Sequence, residues 1–177
     1  MSNRSFIIFK NWADYATLAA NPVPETNLPV TNLQLQENGY IMRSTVSTTQ
    51  LILGNMSESR VANLDGTALL GKFSASATVK IELFTLDNQT GSTVFNSDFL
   101  SVSPDGLEFY TDFSTASGNY KSFRITFTDT APPNSVHELS RLIIGEIFSP
   151  ITQIAYGYDY LIEDETEQER DAGGGIH

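Results

Sequence analysis

The feature that most constrains this chain is a two-residue alternation, seen most cleanly over Thr78 to Leu86, where Val79, Ile81 and Leu83 alternate with Thr78, Lys80 and Glu82. Successive side chains of a strand point to opposite faces, so this spacing describes a strand with one face buried and one wet. Phe123, Ile125 and Phe127 repeat it against Ser122, Arg124 and Thr126. Turn signals at Asn88 to Gly91, Pro104-Asp105-Gly106 and Ser117-Gly118-Asn119 separate β-prone pieces around Phe95 to Val102 and Leu107 to Phe113. No segment sustains a helical period over three turns. Short strands with regular turn punctuation predict an all-β, antiparallel β-sandwich.

Residues 1–48 read differently. Pro22, Pro24 and Pro29 lie in an Asn- and Thr-rich stretch that would interrupt a long helix or a central strand. The expectation is a short apolar strand at Phe6 to Phe9, a helical turn at Trp12 to Leu18, and then an irregular wrap joining the sandwich. Strand candidates follow at Gln50 to Leu53, ended by Gly54, and at Arg60 to Leu64, ended by an Asp65-Gly66 turn. Leu139 to Phe148 is apolar on both faces, as in a central strand covered on both sides. The predicted organisation is a wrap over 1–48, a sandwich core over 49–160, and an acidic, glycine-rich arm over 161–177.

Composition narrows the function. With 40% apolar residues, 11 Phe and 7 Tyr, 177 residues suffice for one well-packed domain. Cysteine is absent, which removes disulfides and thiolate metal sites. No run approaches a bilayer span, and the four-residue apolar patch of MSNRSFIIFKNW is short for a signal-peptide core, so no membrane insertion is expected. The net charge of −11 repels a phosphate backbone and argues against nucleic-acid binding. Six acids opposed by Arg170 alone give −5 within the nine residues Glu163 to Asp171, a block that stays solvated or seeks a basic partner.

Catalytic patterns are thin. The histidines are His137 and His177; His137 follows a Pro-Pro-Asn-Ser loop and reads as a surface histidine at a strand entrance more readily than as a general base. Hard-cation ligation is conceivable at Asp159, Glu163, Asp164 and Glu165 or in Asp87-Asn88-Gln89, but neither spacing matches a known loop. No metal is assigned, and without nucleotide-binding glycine patterns no cofactor is implied. Trp12 with Tyr15, and Tyr156, Tyr158 and Tyr160, offer aromatic faces on which a sugar ring can stack; for the three tyrosines, on one side of an alternating tract, a protein contact is the favoured use.

The run Arg141 to Tyr160, RLIIGEIFSPITQIAYGYDY, is similar to segments of structural proteins of tailed-phage virions. With Asn27 to Leu33, Thr49 to Gly54, Arg60 to Leu64, Ser74 to Ile81 and the exit Glu163 to Gly175, it resembles galactose-binding-like (discoidin-like) β-sandwich domains of phage tail proteins. The calcium loop with its Thr-x-Trp has no counterpart, since Trp12 is the only Trp. The resemblance implies a jelly-roll sandwich with extended N- and C-terminal arms and a non-enzymatic role. That role is a tail-tip or baseplate adaptor in the virion, assembled in the host cytoplasm and contacting other tail proteins and copies of itself in a symmetric ring. The expected contact residues are Phe6, Trp12, Pro150, Tyr156, Tyr158 and Tyr160, with Glu163, Asp164, Glu165, Glu167, Glu169 and Asp171 as the electrostatic part. The alternative is a carbohydrate-binding module that recognises a host-surface glycan through loops at one end of the sandwich.

Overall fold

Eleven strands form two antiparallel sheets in the computed structural model, which describes residues 7–8, 10–36, 39–46, 48–103 and 106–148. The strands are β1 (Ile7–Ile8), β2 (Thr17–Asn21), β3 (Met42–Arg43), β4 (Thr49–Val61), β5 (Asp65–Lys72), β6 (Thr78–Phe84), β7 (Thr93–Asn96), β8 (Leu100–Ser101), β9 (Glu108–Asp112), β10 (Asn119–Thr128) and β11 (Glu138–Phe148). One sheet runs β1-β11-β5-β9, with β3 also on β11; the other runs β2-β4-β10-β6-β7, with β8 also on β6. Among the described residues the only helical turns are of the 3-10 type. All pairings are antiparallel, as the alternating pattern predicts.

The alternation is realised as a core between the sheets. Val79, Ile81 and Leu83 of β6 and Phe123, Ile125 and Phe127 of β10 are fully buried, facing Leu69, Phe109, Leu142 and Ile144 of the other sheet. Leu139 and Leu142, three residues apart, are both buried because a register shift between Leu139 and Arg141 inserts an extra residue in β11 and resets which side faces inward.

Three local expectations are corrected. Gly54 does not end a strand: β4 runs through it, 13 residues in all, taking in Arg60 and Val61 of the separate strand predicted there. A Cβ at Gly54 would lie 2.1 Å from Cζ of Phe123, its cross-strand partner, so the glycine makes room for a core aromatic. Asp65-Gly66 is not a turn but the start of β5; the turn is the preceding 3-10 segment Ala62–Leu64, and Asp65 is buried. The predicted helical turn at Trp12 is a 3-10 turn, Trp12–Tyr15, followed at Thr17 by the edge strand β2, so the proline-rich wrap itself contributes to the sheet. That wrap also places Ala13, Ala16, Val30, Leu33 and Met42 in the core.

Register defines the two ends of the sandwich. Val61 opposes Asn119 and Ser122 opposes Phe84 at one end, close to Asp65. Thr128 opposes Thr49 and Thr78 at the other, and there Glu138 sits between Lys72 and Arg43.

Candidate functional site

Trp12 and Tyr15 come together at the Val61 end because the side chains of Asn11, Gln34 and Arg141 hold their short turn. Asn11 caps it: the Ala13 amide donates to Asn11 Oδ1 at 3.1 Å. The Asn11 side chain also bridges to β11, donating to the Leu142 carbonyl at 2.9 Å and accepting from the Ile144 amide at 2.9 Å. Gln34 Nε2 donates to the carbonyls of Ala13 and Ala16 at 2.7 and 2.8 Å, and Arg141 pairs with Asp14 at 2.7 Å. A turn so tied presents its aromatics on a rigid base.

The turn walls a cleft of about 230 Å³ lined by Lys10, Trp12, Tyr15 and, from β4, Met56, Ser57, Glu58 and Arg60. Lys10 Nζ lies 4.0 Å from the centre of the Trp12 ring, and the Arg60 guanidinium carbon lies 3.8 Å from it. Both distances are those of a cation drawn to the negative face of an indole. Tyr15, 65% exposed, has Lys10 Nζ at 5.5 Å and presents an open aromatic face.

Arg60 is held from behind. Its guanidinium pairs with buried Asp65 at 3.5 Å, and Asp65 Oδ2 accepts a hydrogen bond from the buried Tyr120 hydroxyl at 2.8 Å. Burial raises the Asp65 pKa above its ordinary value against the opposing pull of Tyr120 and Arg60, and the approach of Glu146 adds to the rise. The Tyr120 hydroxyl is pushed well up by burial and then by Asp65, so it remains a donor. The arrangement supplies the exposed face of Tyr15, two cations over Trp12 and the carboxylate of Glu58.

A second depression of about 220 Å³ is lined by Leu35, Gln36, Gly39, Tyr40, Leu70, Ser140 and Arg141. Its cation, Arg141, is already committed to Asp14.

The surface reading of His137 is corrected: it is fully buried, packed edge-on against Phe127 with ring centres 4.7 Å apart. Desolvation lowers its pKa, with the Asp129 charge and the Thr48 carbonyl opposing, and a ring closed to solvent cannot serve as a general base. Asp87-Asn88-Gln89 is a structural turn: Asp87 pairs with Lys121 at 2.9 Å, the Asn88 amide donates to Asn55 Oδ1 at 2.7 Å, and the Gln89 amide donates to Ser122 Oγ at 2.9 Å. Among the described residues no group of three His, Asp or Glu is placed to hold a metal ion.

Of the residues singled out as contacts, Trp12 lies in the cleft. Phe6, Pro150, Tyr156, Tyr158, Tyr160, Glu163, Asp164, Glu165, Glu167, Glu169 and Asp171 lie outside the described residues, as does the expected C-terminal arm over 161–177. Lys10, Glu58 and Arg60 went unnoticed as site residues in the sequence. Arg60 is far from Trp12 along the chain and reaches it only because β4 runs the full length of its sheet.

No protein-family model and no curated protein matches the sequence. Solved structures do match its fold. Chitosan-binding module 1 of a chitosanase/glucanase from Paenibacillus sp. IK-5 superposes with a TM-score of 0.59 at 15% identity, over 76% of this chain and 98% of the module. The family 32 carbohydrate-binding module of NanJ from C. perfringens, solved in complex with galactose, gives 0.56 at 11% identity, over 76% and 97%. Reduced XRCC1 bound to the DNA polymerase β catalytic domain gives 0.52 at 11%, over 77% and 95%. The chain therefore has the galactose-binding-like β-sandwich fold of these proteins.

Proposed function

We propose that the chain is a non-catalytic carbohydrate-binding module that takes a glycan in the cleft of Trp12 and Tyr15. The observation that carries this reading is the open face of Tyr15 beside Trp12 on a turn fixed by Asn11, Gln34 and Arg141. A pyranose ring has an apolar side that packs on such a face, while Glu58, Ser57 and Arg60 around it offer hydrogen-bond partners for hydroxyl groups. Neighbours named for chitosan binding and for a galactose complex lend support, although the same fold also meets a protein partner. The tail-adaptor reading rests on the resemblance of Arg141 to Tyr160 and the segments quoted with it, of which residues 149–160 and Glu163 to Gly175 lie outside the described residues.

The test is affinity electrophoresis in gels containing soluble polysaccharides of differing composition. At least one polysaccharide is expected to retard the wild-type chain and not Tyr15→Ala. Equal mobility of the two proteins in every gel would overturn the assignment.

A further inference from the structure

Resting on that reading, we infer that the glycan taken by this cleft carries an anionic group, a uronic or sialic carboxylate or a sulfate ester, seated against Lys10 and Arg60. Among the described residues one cation differs from all the others in its pairing. The chain has ten Lys and Arg, and all but Arg4 and Arg170 are described. Of these eight, seven have a carboxylate oxygen within 3.5 Å. Lys10 is the exception. No described carboxylate pairs with it, and its ammonium group stands instead over the aromatic pair that would receive the sugar. In a chain of net charge −11, an unanswered cation beside an open stacking face is a marked departure from the rest of the surface.

Arg60 strengthens the case. Its partner Asp65 lies behind it in the core at 3.5 Å, longer than a charge-assisted hydrogen bond, so the guanidinium keeps donor capacity on the cleft side of the pair. Glu58 lines the same cleft and forms no ion pair with either cation; it opposes an anion placed near it and can accept hydroxyl groups elsewhere on the sugar. A sugar lying on Tyr15 with its anion toward Lys10 and its hydroxyl groups toward Glu58 satisfies all three charges. A neutral sugar leaves Lys10 unanswered, and an amino sugar brings two ammonium groups together.

The test is a glycan array bearing neutral, amino, uronic, sialylated and sulfated glycans, probed with the full chain and with Lys10→Gln, Glu58→Gln and Lys80→Gln. The strongest signals are expected on anionic glycans. Lys10→Gln should weaken them by about three- to tenfold and Glu58→Gln should strengthen them, whereas Lys80→Gln, an equal charge change away from the cleft, should not alter them. Uronic and sialylated spots against sulfated ones distinguish the two sources of the anion. Best signals on neutral or amino glycans, or anionic signals indifferent to Lys10→Gln, would overturn this inference and leave the glycan reading standing. An array silent for every class would overturn both.

Discussion

At the Thr49 end of the sandwich a buried carboxylate gathers several short donors, whereas at the Val61 end Lys10 meets no described carboxylate and buried Asp65 meets Arg60 only at 3.5 Å. Glu138 accepts from Arg43 at 2.6 Å, Lys72 at 2.9 Å and Asn134 at 2.7 Å. Burial pushes its pKa up, yet these three donors outweigh burial and the carboxyl lies below its ordinary range. Asp129 is similar: burial raises it, and the hydroxyl and amide of Ser74 with the amide of Ala131 bring it below the usual value. At the opposite end Lys10 and Arg60 stand over an indole and Asp65 is held above its usual range. The same residue types close one end structurally and leave Lys10 at the other without a described carboxylate, which is the property expected of a surface that waits for a ligand.

The largest expected effect is at the closed end. Glu138→Ala removes a buried acceptor shared by three donors and should cost about 2 kcal/mol in chemical denaturation. The value sits toward the low side of buried-pair losses because Arg43 and Lys72 can regain water. Glycan binding should be unchanged. A large loss of binding without a loss of stability would reverse the roles assigned to the two ends.

Tyr15→Ala should do the opposite: about tenfold weaker binding, ~1.4 kcal/mol, with stability altered by no more than about 0.5 kcal/mol because the side chain is largely exposed. Isothermal titration and thermal melts on the same preparation separate the two quantities.

A smaller effect should come from His137→Phe, read as the pH dependence of stability between about pH 8 and 5. The folded-state pKa of His137 lies below 6.5 because burial disfavours the charged ring. Its contribution is therefore present above 6.5 and lost as pH falls through the lowered value. The phenylalanine variant should show a flatter curve over that range; a curve as steep as wild type would remove His137 from the account. Smallest of all, Asp65→Asn should become progressively more stable relative to wild type as pH rises. A carboxyl whose folded pKa is raised contributes most below its unfolded value and loses that contribution as pH rises through the folded one. Glu138 and Asp129 have the reverse sign, their contribution disappearing as pH falls through their lowered values. The two ends should thus be distinguishable in a pH series of denaturation curves.

Much of the sandwich was legible because period-two alternation is local. Thr78 to Phe84 and Phe123 to Phe127 announced their buried faces, and the positive φ angles of Asn88, Gly91 and Gly118 lie where turn residues were read. Gly54 and Asp65-Gly66 misled for a shared reason. A glycine beside apolar residues marks either a turn or the close approach of another part of the chain, and only tertiary structure shows Phe123 against Gly54 and Ile147 against Gly66. The aromatic half of the site, Trp12 and Tyr15, could be read as a sugar platform from residue type alone. Its charged half could not, since Arg60 joins Trp12 through strand length and register, and a lone Lys10 carries no signal until the other cations are seen to be paired.

The most direct test of a ligand-binding end is amide chemical-shift mapping by two-dimensional NMR as an array-positive oligosaccharide is titrated into the chain. The account predicts saturable shifts at residues 10–17 and 56–60, with the amides around Ser74, Asp129 and His137 unmoved. Shifts centred on those last residues, or none anywhere at saturating sugar, would contradict it.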